Sequence, residues 1–173
     1  MFIRSYHQNF SLDHYPELIS TSSLALELIR SHQINHNHVI LTDEQTGGRG
    51  RLGKDWVSPI GNLYFSLVLK PKKLVTEISE LSFLTAVAMG LALVEFSLGD
   101  KKINHKWPND ILIDGKKVAG ILLEKDADFV VLGVGVNINS HPKNTNYPAC
   151  NLEEQGFKIV DKIDLLKKFL NNF

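Results

Sequence analysis

A succession of short apolar segments in the second half of the chain limits the folds that it can adopt. These segments are Ile103 to Trp107, Ile111 to Ile113, Val118 to Glu124 and Phe129 to Val136. Tight polar turns at Asp114-Gly115 and at Asp126 to Asp128 separate the last three. Turns this short join antiparallel strands, because a parallel pair needs a crossover of a dozen or more residues. The sequence therefore predicts an antiparallel meander.

Helical periodicity marks three other segments. Ser20 and Thr21 precede apolar residues at helical spacing, which predicts a hydroxyl-capped helix near residues 21–31. Thr76 begins a longer helix that ends at Gly99, with an apolar stripe of Ile78, Leu81, Leu84, Ala88, Leu91 and Val94. A last helix spans Asp161 to Phe173, with Ile163, Leu166 and Leu170 in one stripe. We expect one α+β domain, with a mixed, mainly antiparallel sheet and flanking helices.

Composition and charge exclude several functions. The chain of 173 residues has 19 Lys and Arg against 19 Asp and Glu, so it has no global positive field to hold nucleic acid. Its single cysteine, Cys150, excludes an intramolecular disulfide framework and a multi-cysteine zinc site. The pattern of a signal peptide or a membrane span is missing. We expect a cytoplasmic protein that has no membrane partner.

The segment between the predicted strands Val39 to Thr42 and Leu63 to Leu69 is rich in glycine and cations. Gln45 to Trp56 contains four glycines and three cations. Glycine lets backbone N–H groups turn toward a ligand, and arginine offers forked donors that match phosphate or carboxylate oxygens. These properties predict an anion-holding loop, and a flexible basic surface turn is the other interpretation.

Two standard nucleotide motifs fit this loop only in part. Gly48, Gly53 and Lys54 have the spacing of a Walker phosphate loop, but Asp55 stands where that motif needs a hydroxyl. The spacing of the dinucleotide fingerprint also occurs, but a strand follows it instead of a helix. These departures disfavour both nucleotide motifs.

A second unusual segment, Lys106 to Asp110, offers a cation, an amide and a carboxylate in five residues. Lys117 follows Asp110 across a predicted hairpin. Lysines beside an α-phosphate neutralise its charge, and Asn109 or Asp110 could hold magnesium or orient a nucleotide. Taken alone, the segment could also be a strand end with a half-buried tryptophan.

Other chemically active residues give weaker signals. The irregular spacing of His32, His36 and His38 favours a solvated loop over a metal site. Cys150 has no neighbouring base in the sequence, which favours a packed or surface residue over a nucleophile. Gly133 to Asn139 is either a glycine-relieved strand packed against a helix or a wall that faces a nucleotide.

Four motifs, taken in order, resemble the catalytic domain of biotin protein ligases. They are Gln45 to Trp56, Lys106 to Asp110, Lys117 to Glu124 and Gly133 to Asn139, within a match from about Ser20 to Asn139. The resemblance implies a fold related to class II aminoacyl-tRNA synthetases. It also implies that biotin and ATP, with Mg²⁺, give biotinyl-5′-AMP, and that biotin then passes to a lysine of a biotin carboxyl carrier protein.

The same resemblance implies roles for individual residues. Biotin would contact Ser20, Thr21, Ser22, Gln45, Gly48, Arg49, Lys106 and Gly120. The nucleotide would contact Arg49, Gly50, Arg51, Trp56, Asn109, Lys117 and Asn137. Lys106, Arg51, Asp110 and Lys117 would be the catalytic residues, and no residue is assigned as a ligand of a resident metal.

The chain departs from the family pattern in several places. Ser22 replaces the last residue of a Ser-Thr-Asn signature, and Lys54 replaces an arginine, which keeps the charge but loses a bidentate fork. No helix-turn-helix segment precedes residue 20, so DNA is not an expected partner. We expect residues 1–173 to be one catalytic domain without the small C-terminal β-barrel that usually follows. A homodimer stays open, as do two alternative functions, lipoate or octanoate transfer and biotin binding without catalysis.

Overall fold

The computed structural model describes residues 3–7, 10–71, 78–143, 145, 147–158 and 160–173, with the backbone alone for residues 3–7, 78 and 79. The strands in this part of the chain are β1 (Ile3–His7), β2 (Phe10–Leu18), β3 (His38–Gln45), β4 (Leu63–Leu69), β5 (Ile103–Lys106), β6 (Asp110–Ile113), β7 (Lys116–Asp126) and β8 (Phe129–Val136). The α-helices are α1 (Thr21–Arg30), α2 (Ile78–Val94) and α3 (Lys162–Asn172).

All of these strands form one mixed sheet in the order β1-β2-β3-β4-β8-β7-β6-β5. The pair β2–β3 is parallel, and the other pairs are antiparallel. The predicted meander from β5 to β8 and the predicted fold class are both confirmed. Asp114 and Gly115 turn the chain between β6 and β7 with φ angles of 48° and 81°, in the left-handed region that short hairpin turns require.

Strands β1 and β2 have no counterpart in the sequence predictions. The segment Phe10–Leu18 mixes polar and apolar residues and contains Pro16, so its pattern does not indicate a strand. It pairs with β3 in parallel, and α1 provides the crossover that such a pair needs. The prediction of a solvated His38 is therefore wrong, because β2 covers it: His38 is buried, with Nε2 3.0 Å from Oδ2 of Asp13.

The helices divide between the two faces of the sheet. On β8, Val130, Leu132, Val134 and Val136 belong to the core with α2 and α3. Phe129 and Val131 point to the opposite face and pack in the cluster with α1. Since side chains alternate along a strand, positions 133 and 135 continue the α1 face, and both are glycine. The sheet is therefore bare beside the start of α1.

The α2 helix departs from its predicted bounds. Its expected start at Thr76 lies outside the described residues, and its expected end at Gly99 is wrong. The N–H groups of Phe96 and Ser97 bond to the carbonyls of Leu93 and Val94, three residues back. This tighter pattern is a common way to close a last helical turn.

The stripe predicted for α2 is also partly wrong. Leu84, Leu91 and Val94 are 54%, 53% and 57% exposed. The core side of the helix is formed by Met89, Leu93 and several alanines. Because α2 is apolar on nearly every side, periodicity alone does not identify the buried face.

The two other helices follow the predictions closely. Ser20 caps α1, and its hydroxyl accepts a hydrogen bond from the N–H of Ser23. Asp161 caps α3 and accepts from two backbone N–H groups. The α3 stripe is wider than predicted, since Phe169 is also buried and packs against Phe65 at a ring-centroid distance of 5.1 Å. Within the described residues, no helix is long and apolar enough to span a membrane.

Candidate functional site

The α1 face of the sheet carries a pocket between the start of α1, the glycine-rich loop and strands β7 and β8. Its lining brings together most of the predicted site residues, namely Ser20, Thr21, Ser22, Gln45, Arg49, Gly50, Arg51, Trp56, Asn109, Lys117 and Gly120. Ile121, Leu122, Gly133, Val134 and Gly135 complete the wall. Residues distant in sequence thus meet at the bare patch of the sheet.

The loop is an ordered hairpin, here called the arginine hairpin (residues 45–58). At its base the N–H of Gln45 donates to the carbonyl of Ser58 at 3.1 Å, and the N–H of Trp56 donates to the carbonyl of Gly48 at 2.9 Å. Its tip turns at Leu52, which has φ +57°. These bonds disfavour the interpretation of the loop as a flexible basic turn.

One end of the pocket is a network of hydroxyl and amide groups. The Gln45 side-chain oxygen accepts from the Thr21 N–H at 2.9 Å, while its NH₂ donates to Ser58 Oγ at 2.9 Å. Ser66 Oγ donates to Thr21 Oγ1 at 2.8 Å and lies 3.0 Å from Ser22 Oγ. This end offers neutral donors and acceptors on short, held side chains, which suits a polar, uncharged ligand group.

The floor of the pocket is a pair of glycines beneath a tryptophan. Gly120 of β7 and Gly135 of β8 are opposite each other in register, and the Trp56 indole lies on both. A Cβ on Gly135 would come within 2.3 Å of Trp56 Nε1, and one on Gly120 within 2.8 Å of the ring. The indole N–H is buried and has no hydrogen-bond partner among the described residues. It is therefore a buried donor that none of the described residues satisfies.

The other end of the pocket is cationic. Arg49 Nη2 lies 2.6 Å from Glu124 Oε2, and Lys117 Nζ lies 2.7 Å from Asp110 Oδ1. Arg51 Nη1 donates to the neutral side-chain oxygen of Asn109 at 2.9 Å. An anion here would meet three cations, of which Arg51 is held by an uncharged partner.

Four predicted site residues lie outside the lining. Lys106 extends over the ring of Tyr147, with Nζ 3.6 Å from the centroid. Asp110 pairs with Lys117, and Gly48 packs closely against Trp56 and Gln45. The buried Asn137 side chain donates to the carbonyl of Cys150 at 3.0 Å.

Lys106 and Asp110 nevertheless belong to the same row of the sheet as the pocket floor. Lys106 is opposite Asp110, Asp110 is opposite Gly120, and Gly120 is opposite Gly135. Residues opposite each other in a sheet project to the same face. The roles assigned to both residues stay predictions.

Sequence reasoning did not single out Ser66 or Glu124. Ser66 is a serine in the otherwise aliphatic and aromatic strand Leu63–Leu69, and a small polar residue in a buried strand is itself a signal. Glu124 lies on the same side of β7 as Gly120, at an interval of four residues. Gly133 and Gly135 fit both interpretations of their segment, a strand packed against a helix and a wall that faces a ligand. A Cβ on Gly133 would meet Ser22 Oγ of α1 at 2.4 Å, and one on Gly135 would meet Trp56 in the pocket.

Metal and thiol chemistry find little support. No group of three His, Cys, Asp or Glu side chains in the described part of the chain could hold a metal ion. The Asp110 carboxylate and the Asn109 amide oxygen already contact Lys117 and Arg51. Cys150 is packed in the core, and burial raises the pKa of its thiol to about 11. A thiolate nucleophile is therefore disfavoured at neutral pH.

The pocket on this mixed sheet is neutral and polar at one end and cationic at the other. These features define a binding domain for a ligand with an anionic group. Residues 15–139 match the model of the Biotin/lipoate A/B protein ligase family, and the chain belongs to this family.

Comparison with known proteins agrees with this membership. Over 90% of its length the chain is 34% identical to the Bifunctional ligase/repressor BirA of Bacillus subtilis (strain 168), of which it covers 50%. The chain thus spans about half the length of the curated relatives it matches.

Two solved structures share the fold. One is the biotin protein ligase of Leishmania major in complex with biotinyl-5-AMP, with a TM-score of 0.82 and 29% identity over 93% of this chain and 72% of that one. The other is the biotin protein ligase of Aquifex aeolicus in complex with biotin and ATP, with a TM-score of 0.80 and 32% identity over 93% of this chain and 67% of that one. They confirm the fold expected from the resemblance.

Proposed function

We propose that this chain is the catalytic domain of a biotin protein ligase. It would activate biotin with ATP as biotinyl-5′-AMP, release pyrophosphate, and transfer biotin to a lysine of a biotin carboxyl carrier protein. The relatives whose structures contain biotin, ATP or the adenylate support this assignment. The observation that carries it is the polarity of the pocket, which is neutral near Gln45 and cationic near Arg51.

Biotin has a matching polarity. Its ureido group is neutral and can both donate and accept, which suits the network of Thr21, Ser22 and Gln45. Its apolar ring and chain suit the wall that the Trp56 indole forms over Gly120 and Gly135, and its carboxylate would then lie toward the cations. The neutral end thus selects the ligand, while the cationic end serves the reaction.

In the first step a biotin carboxylate oxygen would attack the α-phosphorus of ATP. The new bond joins this oxygen to phosphorus, and the bond from phosphorus to the pyrophosphate oxygen breaks. Both reactants are anions, so the residues proposed as catalytic, Lys106, Lys117 and Arg51, would bring them together and stabilise the charge on the transferring phosphorus. Mg²⁺ would arrive bound to the ATP phosphates, since Asp110 and Asn109 are already engaged.

In the second step the amine of the carrier lysine would attack the acyl carbon, and AMP would leave. Asp110 lies on the row of the pocket floor and is the proposed acceptor of the proton that the amine loses. The arginine hairpin would exclude water from the mixed anhydride until the carrier arrives. The assignments of Gly50, Trp56, Asn109 and Asn137 to the nucleotide belong to the same proposal.

The direct test is mass spectrometry of the purified protein after incubation with biotin and MgATP, followed by addition of a carrier domain. We expect retained biotinyl-adenylate, release of pyrophosphate and a carrier that gains one biotinyl group. The Lys117→Met variant should lose both steps, and Lys101→Met is the matched control because Lys101 pairs with Asp114 and neither residue lines the pocket. Absence of both adenylate and transfer in the wild type would refute the proposal.

Two alternatives have distinct signatures. The family also contains lipoate ligases, so biotin and lipoate should compete in one binding experiment, and preference for lipoate would favour the second function. Because the chain spans about half of its relatives, biotin binding without turnover is the other alternative. Calorimetry that gives a biotin affinity in a sample that releases no pyrophosphate would identify it.

A further inference from the structure

The outer half of the arginine hairpin is connected to the rest of the fold by side chains. Backbone bonds from Thr46 and Gly47 to the carbonyls of Leu18 and Ile19 hold its base. Beyond Gly48 the backbone hydrogen bonds among the described residues stay inside the hairpin, as in the 2.6 Å bond from the Gly50 N–H to the Lys54 carbonyl. Contacts from Arg49, Arg51 and Trp56 must therefore set where the tip lies.

The two arginine contacts differ in charge. Arg49 meets a carboxylate, since its Nη2 is 2.6 Å from Oε2 of Glu124, whereas Arg51 meets the neutral oxygen of Asn109. An incoming phosphate therefore finds the charge of Arg51 uncompensated and that of Arg49 already neutralised. This arrangement favours Arg51 for the phosphate and a structural role for Arg49.

Glu124 is well placed to receive the hairpin. Gly120, Leu122 and Glu124 alternate along β7 and so point to the same face, where the first two line the pocket. Its side chain is 23% exposed, which leaves it partly shielded from solvent. A carboxylate beside an anion-binding pocket opposes anion binding by simple repulsion. Its presence there is explained if it holds a cation in place.

We propose that Glu124 is a positioning residue, which docks the arginine hairpin on the sheet through Arg49 and thereby presents Arg51 to the phosphate. This inference rests on the proposed function for its catalytic consequence, but docking itself does not depend on any ligand. The two possible roles of Glu124 predict opposite effects of its removal on the rate at which the adenylate is released. If Glu124 only repelled anions, its removal would slow the release of the adenylate, whereas loss of a docking contact would accelerate it.

The chain provides a matched control for this pair. Asp126 lies two residues further along the same side of β7, and its Oδ2 is 2.6 Å from Nε of Arg30. This pair links β7 to the end of α1 and takes no part in the pocket lining. Asp126→Asn therefore removes an equivalent ion pair without touching the hairpin.

A first experiment measures docking without ligand. Arg49, Arg51 and Lys54 are trypsin sites within the hairpin, and a hairpin released from the sheet is cleaved faster than one held on it. We expect Glu124→Ala to raise the cleavage rate about fivefold, Glu124→Gln to raise it less, and Asp126→Asn to leave it within about twofold of wild type. Equal rates in Glu124→Ala and Asp126→Asn would overturn the docking role.

A second experiment measures the consequence with a non-hydrolysable biotinyl-adenylate analogue. Glu124→Ala should release it about fivefold faster than wild type, and Arg49→Ala combined with Glu124→Ala should be no faster than either single variant. Slower release in Glu124→Ala, or additive effects in the double variant, would overturn the proposal. Failure of the wild type to bind the analogue would instead refute the proposed function, and the trypsin experiment would still decide the docking.

Discussion

Replacement of Gly135 by alanine is expected to damage the pocket while leaving the fold intact. The new methyl group would lie 2.3 Å from Trp56 Nε1, whereas ordinary contacts begin near 3.4 Å. The indole must therefore move by about 1.1 Å, since β8 is fixed between β4 and β7. A displacement of this size at a reacting centre can lower the rate about 100-fold. We expect a loss of that order in the rate of biotinyl-adenylate formation.

The fold should tolerate this change for a physical reason. Gly135 lies within a paired strand, and its φ is outside the left-handed region, so alanine fits its backbone. Unfolding by denaturant should show a loss of about 1–3 kcal/mol in the free energy of unfolding, the usual cost of an added buried methyl group, which leaves the protein folded. Tryptophan fluorescence would report the movement of the indole directly, because Trp107 can be replaced by phenylalanine to leave Trp56 as the only tryptophan.

The matched control is Gly90→Ala. Its Cβ would come within 2.6 Å of Nε2 of His105, but that clash lies on α2 and not in the pocket. It should leave both the Trp56 emission and adenylate formation within about twofold of wild type. If Gly135→Ala behaves like Gly90→Ala, the inference that the indole position defines the pocket is wrong.

Three further predictions concern other parts of the molecule. Arg51→Ala should release the adenylate at least about tenfold faster than wild type, because it removes the cation whose partner, Asn109, is uncharged. The release rate is followed by chase with unlabelled ligand. An unchanged rate would contradict the role of the arginine hairpin in retaining the adenylate. Burial raises the pKa of Asp43, but hydrogen bonds from Lys162 and His14 outweigh it and keep that pKa below the usual 3.8. The stabilisation is then present above pH 3.8 and lost as pH falls through the lowered pKa, so Asp43→Asn should cost about 1 kcal/mol or less at pH 7 and nothing in strong acid. Cys150, whose pKa is raised to about 11 by burial, should react with a thiol reagent at pH 8 only in denaturant, and rapid labelling of the native protein would contradict its burial.

The sequence predicts the fold best where turns are short. The meander from β5 to β8 follows from apolar runs and turns of two or three residues, which allow few pairings other than antiparallel neighbours. Strand β2 could not be predicted in the same way. Its residues pair with β3 across a helix, and its polar pattern reflects contacts such as Asp13 with His38 that exist only after folding.

The site shows a similar division. Glycines and arginines of the hairpin indicate an anion site because each has few other reasons to occur at such density. Glu124 gives no such signal, since one carboxylate at a strand end is ordinary in sequence. Its contact with Arg49 joins residues 75 positions apart and depends on where the hairpin folds back. The exposed side of α2 could not be predicted from the sequence either, because a helix that is apolar on nearly every side has no periodic pattern that marks its buried face.

The position of β8 in the sheet also has a consequence for synthesis on the ribosome. This strand lies between β4 and β7, and both of them precede it in the chain. Until residues 129–136 emerge, β4 has an open edge and Trp56 has only half of its glycine floor. Nascent chains that stop earlier would therefore expose an apolar strand edge, a feature that promotes aggregation and recruits chaperones. Ligand binding would become possible only when β8 enters the sheet.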